Sequence, residues 1–109
     1  MENKLVEEDW IIGLILQGGT ARSLAMQAID QAASGSYQQS EELMTQAHEA
    51  LSTAHDYHSL LTQDHIEETI LPTPLLLMHG QDHLMSAITT IDMADRMIQL
   101  YHRLDKGGI

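Results

Sequence analysis

"IIGLILQGGTARSLAMQAIDQAA" (residues 11–33) decides the architecture. Ile11, Leu14, Gly18, Ala21, Ala25, Ala28 and Ala32 recur at alternating steps of three and four, which draws one seam down a helix of about 3.6 residues per turn. The seam is mostly Gly and Ala, so a neighbouring helix can approach it closely. In "SGSY" (34–37), Gly35 suits a helix C-terminus. Ser36 suits the N-cap of a following helix, where its hydroxyl can accept from an early backbone N–H. These four residues read as a tight turn between two helices.

The next segment carries Leu43, Ala47, Ala50, Leu51, Ala54, Tyr57 and Leu61 at near-heptad spacing. "TQDHIEETILPTP" (62–74) then interrupts the pattern with acidic residues and two prolines, and is expected to be a mobile loop. A third helix is expected from Thr73 as N-cap and Pro74 at the first helical position, where a missing N–H costs nothing. Its apolar face is Leu84, Ala87, Ile88, Ile91, Ala94, Ile98 and Tyr101, and "KGGI" (106–109) ends it. No period-2 alternation is long enough for a sheet. The expected fold is all-α, an antiparallel three-helix bundle forming one domain over residues 1–109, without internal repeats.

Composition narrows the partners. Sixteen acidic against five basic residues give a formal charge of -11, which argues against nucleic acid or an anionic membrane, since both are held chiefly by Lys and Arg. A partner with a basic patch suits it better. The absence of cysteine removes disulfide, thiolate and sulfur-ligated metal chemistry and fits a reducing compartment. The charged start "MENKLVEEDW" does not read as a signal peptide, and the apolar runs fall well short of the roughly 20 residues that span a bilayer. A cytoplasmic protein without membrane insertion is expected.

Chemistry concentrates in "LLLMHGQDHLMSA" (75–87), where His79, Asp82 and His83 interrupt an apolar run. Ionisable groups are costly to bury unpaired, so a core helix seldom carries three within five residues. Asp82 and His83 stand at i+3 and i+4 from His79, on the same helix face. Gly80 is expected to leave one flank of the imidazole open to another molecule. A solvated polar stripe is the plainest reading, and the clustering weakens it. A zinc site is disfavoured: "HGQDH" resembles an inverted zincin motif only with Asp in place of the longer Glu, and no downstream acidic ligand is marked. A di-iron bundle lacks its motif, since no Glu is followed three residues later by His. A phosphohistidine carrier needs only an accessible imidazole near its pKa, with polar neighbours such as Gln81 and His83 to orient the ring or hold phosphate oxygens.

"MHGQDHLM" (78–85), "GTARSLAMQAI" (19–29), "ALSTAH" (50–55) and "IQLYHRL" (98–104) together resemble the lactose/cellobiose-type enzyme IIA components of the bacterial phosphoenolpyruvate-dependent sugar phosphotransferase system. The resemblance covers nearly the whole chain. It implies that His79 is phosphorylated on Nε2 by the histidine-containing phosphocarrier protein and passes the group to a cysteine of a cognate enzyme IIB. Sugar is phosphorylated later, during uptake through enzyme IIC; lactose, cellobiose, chitobiose and other β-glucosides are all open. Gln81 and His83 fall on supporting residues of that histidine. Asp82 falls on an aspartate that meets its two symmetry mates at the centre of a homotrimer, with a divalent cation, usually taken as Mg2+, between them. Three converging carboxylates repel unless protonated or bridged by a hard cation, and trimerisation would also cover apolar surface of a small monomer.

The chain departs from the family pattern after His55, where "DYHSLL" (56–61) places His58 and Ser59 instead of the usual Gln-Thr. His48, His55, His58 and His65 read as ordinary helix-face residues rather than a second metal site, His102 as favouring the C-terminal helix dipole, and Arg22 as a packing or interface residue. The alternative to a phosphoryl carrier is a non-catalytic helical interaction module that retains the fold. The two differ in the chemistry of His79.

Overall fold

The computed structural model describes residues 2–67 and 75–107, and the side-chain surroundings of residues 8–63 and 75–107. It contains three helices, α1 (Glu2–Ala33), α2 (Tyr37–Glu67) and α3 (Leu75–Asp105), and no strand among the described residues. All seven seam residues of α1 are buried. This follows from the position of α1 between its neighbours: it packs along both α2 and α3, which meet each other far less.

Side-chain contacts fix the directions. The Ser40 hydroxyl, early in α2, donates to the Ala28 carbonyl, late in α1, at 2.7 Å, so these helices run antiparallel. Between α2 and α3, His48 Nε2 lies 3.5 Å from the Asp95 carboxylate and His58 Nε2 lies 3.3 Å from Gln81 Nε2, which again requires opposite directions. At the end of the bundle the Tyr37 hydroxyl donates to Asp105 and lies 3.0 Å from the Tyr101 carbonyl. The hydrogen bond to Asp105 pushes the Tyr37 phenol up from 10.0 to about 12. Its neutral form is the one the fold favours, so this contribution is complete below pH 10 and fades as pH rises through about 12.

The α1–α2 turn has the geometry its sequence suggests. Gly35 takes a positive φ of 82°, the left-handed conformation that glycine adopts without a Cβ penalty. The Gly35 and Ser36 N–H groups donate back to the carbonyls of Ala32 (3.0 Å) and Gln31 (2.8 Å), the bond pair of a Schellman stop. The Ser36 carbonyl receives the first α2 bond, from the Ser40 N–H at 3.0 Å. No cap bond from the Ser36 hydroxyl occurs among the described residues.

Two expectations change. Helix α2 continues through residues 62–67, which the sequence marks as the start of a loop. Once a helix is nucleated each further residue adds a hydrogen bond at little cost, so polarity alone does not stop it, and the Thr62 hydroxyl turns back onto the His58 carbonyl at 2.7 Å. The proposed start signals of α3, Thr73 and Pro74, lie outside the described residues, as does the remainder of the loop.

The core grades along the bundle. Ile11, Leu14, Ala54, Leu61, Leu77 and Leu84 form the bulkier cluster, while Ala21, Ala25, Ala28, Ala47, Ala50, Ala87 and Ala94 with Met44 and Ile91 form one of small side chains. Ser40 is the buried polar residue of the described core, and its hydroxyl reaches a carbonyl of α1. Ser40→Ala is expected to lower stability by about 1 kcal/mol, the usual net worth of one hydrogen bond, seen as a shift of the urea unfolding midpoint with an unchanged slope.

Candidate functional site

Near the start of α3, helix geometry stacks His79 and His83 one turn apart. His79 is exposed and His83 half-buried. Their rings meet edge to face, with centroids 4.6 Å apart at 90°, and their Nε2 atoms are 3.3 Å apart. Two imidazole nitrogens hydrogen-bond only if one carries the proton. When His83 Nε2–H donates, His79 Nε2 keeps an unshared electron pair and the His79 proton resides on Nδ1. That tautomer makes His79 Nε2 a nucleophile.

Close approach of α1 sets the depth of this pair. A Cβ added at Gly18 would stand 3.2 Å from the His83 carbonyl carbon, and one added at Gly80 would stand 2.9 Å from Leu14 Cδ2. Gly80 is buried against α1. Its missing side chain therefore serves helix contact, and the expectation of an open flank beside the imidazole does not hold.

Two hollows share His79 and Asp82. A broad one of about 570 Å³ is lined by Leu75, Leu76, Met78, His79 and Asp82. A smaller one of about 230 Å³ is lined by Arg22, His79, Asp82, His83 and Ser86. Asp82 is exposed beside His79, as its i+3 spacing predicts. Gln81 is different: about 200° round the helix from His79, it is half-buried and faces His58 of α2. Within one chain the structure does not bring Gln81 to His79.

Among the described residues the remaining histidines do not form a second centre. His48 and Asp95 make an exposed pair, a type worth little in stability. His55 is exposed. His102 stacks on Tyr37, with ring centroids 3.8 Å apart. The His65 side chain lies outside the described residues. Among the described residues no three His, Asp or Glu side chains of one chain converge to hold a metal ion. Asp82 alone offers a hard oxygen ligand on an open face, which fits a divalent ion only if other copies of the chain supply further ligands.

Residues 9–102 match the family model of the PTS system lactose/cellobiose-specific IIA subunit. The chain belongs to that family. Enzyme IIA components of this family are phosphotransferase proteins that act through a phosphohistidine. The chain is 41% identical over 97 residues to the lichenan-specific enzyme IIA component of Bacillus subtilis, covering 89% of this chain and 88% of that one. It is similar to the crystal structure of the cellobiose-specific enzyme IIA of Bacillus anthracis, with a TM-score of 0.85, 38% identity and 92% coverage of each chain. A solution structure of the N,N'-diacetylchitobiose IIA component of Escherichia coli in complex with HPr matches with a TM-score of 0.73 and 33% identity, over 91% of this chain and 96% of that one.

Among the described residues of this IIA chain no helix is long and apolar enough to cross a membrane. The family's phosphohistidine chemistry requires a histidine that another protein can reach, and His79 meets that requirement at the edge of both hollows. Arg22, which the sequence marks as a packing or interface residue, lines the smaller hollow together with His79. Its place beside His79 depends on the alignment of two helices far apart in the chain.

Proposed function

We propose that His79 is the phosphoryl carrier of a sugar phosphotransferase system, taking its group from HPr and giving it to a cysteine of the cognate enzyme IIB during uptake of a β-linked disaccharide or oligosaccharide. The single observation that carries this reading is the exposed His79 with its Nε2 held by His83 at 3.3 Å. The donor phosphoimidazole approaches in line with His79 Nε2. The Nε2 electron pair forms the new N–P bond as the donor N–P bond breaks, and the donor ring takes back its own pair. His79 keeps its proton on Nδ1, so no proton need leave. The His83 Nε2–H, freed from His79, turns onto a phosphoryl oxygen. Discharge reverses the geometry, with a cysteine thiolate as the acceptor. Both hand-overs occur in the cytoplasm.

The outer face of α3 supports assembly. Met78, Met85, Met93, Met97, Leu100 and Leu104 are exposed at helical spacing, a long apolar stripe opposite the buried Leu77, Gly80, Leu84, Ala87, Ile91 and Ala94. Asp82 lies in that stripe, between Met78 and Met85. Packing three copies about this stripe forms the homotrimer and gathers three Asp82 carboxylates, which would hold Mg2+ or a similar cation; the ion would neutralise their mutual repulsion. His79 and Gln81 lie on opposite flanks of the stripe. In a cyclic trimer one flank meets the neighbour's other flank, so the Gln81 that supports a given His79 belongs to the next copy.

The test is a two-stage transfer. Incubation with enzyme I, HPr and phosphoenolpyruvate should add about 80 Da, one phosphoryl group. Adding the enzyme IIB of a matching system should remove it. No gain, while a known IIA of the family is modified in the same mixture, rules the carrier function out.

A further inference from the structure

Only five Lys and Arg occur in this chain, at Lys4, Arg22, Arg96, Arg103 and Lys106. The protein therefore has few cations with which to meet a dianionic phosphoryl group. One of them, Arg22, lines the smaller hollow together with His79, Asp82, His83 and Ser86. Its position has a structural cause. Gly18 lies against the His83 backbone, and Gly19 lies near His83 Nδ1, where an added Cβ would be 3.8 Å away. Arg22 stands one helical turn beyond Gly18, beside Ser86, which is itself nearly one turn beyond His83. The parallel run of α1 and α3 thus carries an arginine along the same side as the histidine pair.

Arg22 is exposed, and no carboxylate lies within ion-pair distance of it among the described residues. An arginine on a strongly acidic chain, without a carboxylate partner among the described residues and lining the same hollow as His79, has the chemistry of an anion receptor. Its guanidinium presents several N–H donors in a plane that matches phosphate oxygens, and it stays charged throughout the working pH range.

We propose that Arg22 binds the phosphoryl group carried by His79, donating to its oxygens while Ser86 and the His83 Nε2–H supply further hydrogen bonds. This rests on the reading of His79 as the carrier. Negative charge spreads over the phosphoryl oxygens as the group passes between nitrogens, and a fixed cation on the receiving side stabilises both the transfer and the phosphorylated product. Arg22 does not take part in bond making. It acts as a phosphoryl-binding residue contributed by α1 to a centre that the sequence confines to α3.

The experiment compares wild type with Arg22→Gln and Arg22→Lys, each charged by enzyme I, HPr and phosphoenolpyruvate and then purified away from them. Both variants are expected to accept one phosphoryl group on His79. Arg22→Gln should be charged about tenfold to a hundredfold more slowly, the range for loss of a charged hydrogen bond, and Arg22→Lys should recover part of that rate. In the isolated phosphoproteins, the 31P resonance of Arg22→Gln should titrate at higher pH than that of wild type, because a nearby cation favours the dianionic phosphoryl form. Equal charging rates and an unchanged 31P titration would overturn the proposal. A slower rate with an unchanged titration would also overturn it, assigning Arg22 to docking of the donor protein. If wild type itself is not charged, or His79→Ala is charged equally well, the carrier reading fails instead.

Discussion

His79→Ala is expected to accept no phosphoryl group, although its thermal unfolding should stay within a few degrees of wild type. The first part follows from chemistry. Only an imidazole nitrogen with a free electron pair, open to another protein, can receive the group, and the substitution deletes it. The second part follows from position, since His79 is exposed and substitutions away from the core usually change stability by no more than about 0.5 kcal/mol. Three other histidines have partners of their own. His58 is held toward Gln81, His48 toward Asp95, and His102 lies flat on Tyr37. His83 is nearer, yet it is half-buried, and without His79 its Nε2 loses the partner that orients it. Intact mass after incubation with the donor system measures the difference, and acceptance by the variant would show that the reactive residue lies elsewhere.

Asp82→Asn is expected to make assembly indifferent to divalent cations. In wild type, stripping the metal with a chelator at neutral pH should shift the protein from trimer toward monomer. Two carboxylates about 4 Å apart repel by roughly 4 kcal/mol at an intermediate effective dielectric, and a trimer would gather three such pairs. That repulsion is large against the stability of a small interface. The neutral amide keeps the shape and removes the charge, so chelator should leave its trimer intact. Sedimentation velocity with and without chelator distinguishes the variants. A wild-type trimer that persists unchanged without divalent ions would exclude the bridging role of Asp82.

The helices themselves were legible because their seams are built from residues with one use. Ile11 to Ala32 recur without a fault, and each is buried. The residues read less well are those whose role is set by a partner element. Residues 62–67 lack an apolar face, yet they continue the helix because Leu61 anchors the turn before them. Ser40 and Met44 belong to the core although the seam was drawn through Leu43: Ser40 is polar but satisfied by Ala28, and Met44 is buried among alanines while Leu43 is half-buried against them.

The site divides in the same way. The i, i+3, i+4 spacing brought His79, Asp82 and His83 together correctly, since those relations are internal to one helix. Gly80 and Arg22 depend on the register of α1 against α3, which no local pattern encodes. A glycine beside a histidine therefore looked like access where it is contact with Leu14. Gln81 looked like a neighbour of His79 because it is two residues away in sequence, but a helix turns those two residues to opposite sides.

The most direct measurement is the identity of the nitrogen that bears the phosphoryl group. Protein labelled with 15N at histidine and charged through HPr should show a 31P–15N coupling to Nε2 of His79, with the remaining imidazoles unaltered. Coupling to Nδ1 of His79, or to a nitrogen of any other histidine, would contradict the assignment of His79 Nε2 as the carrier atom.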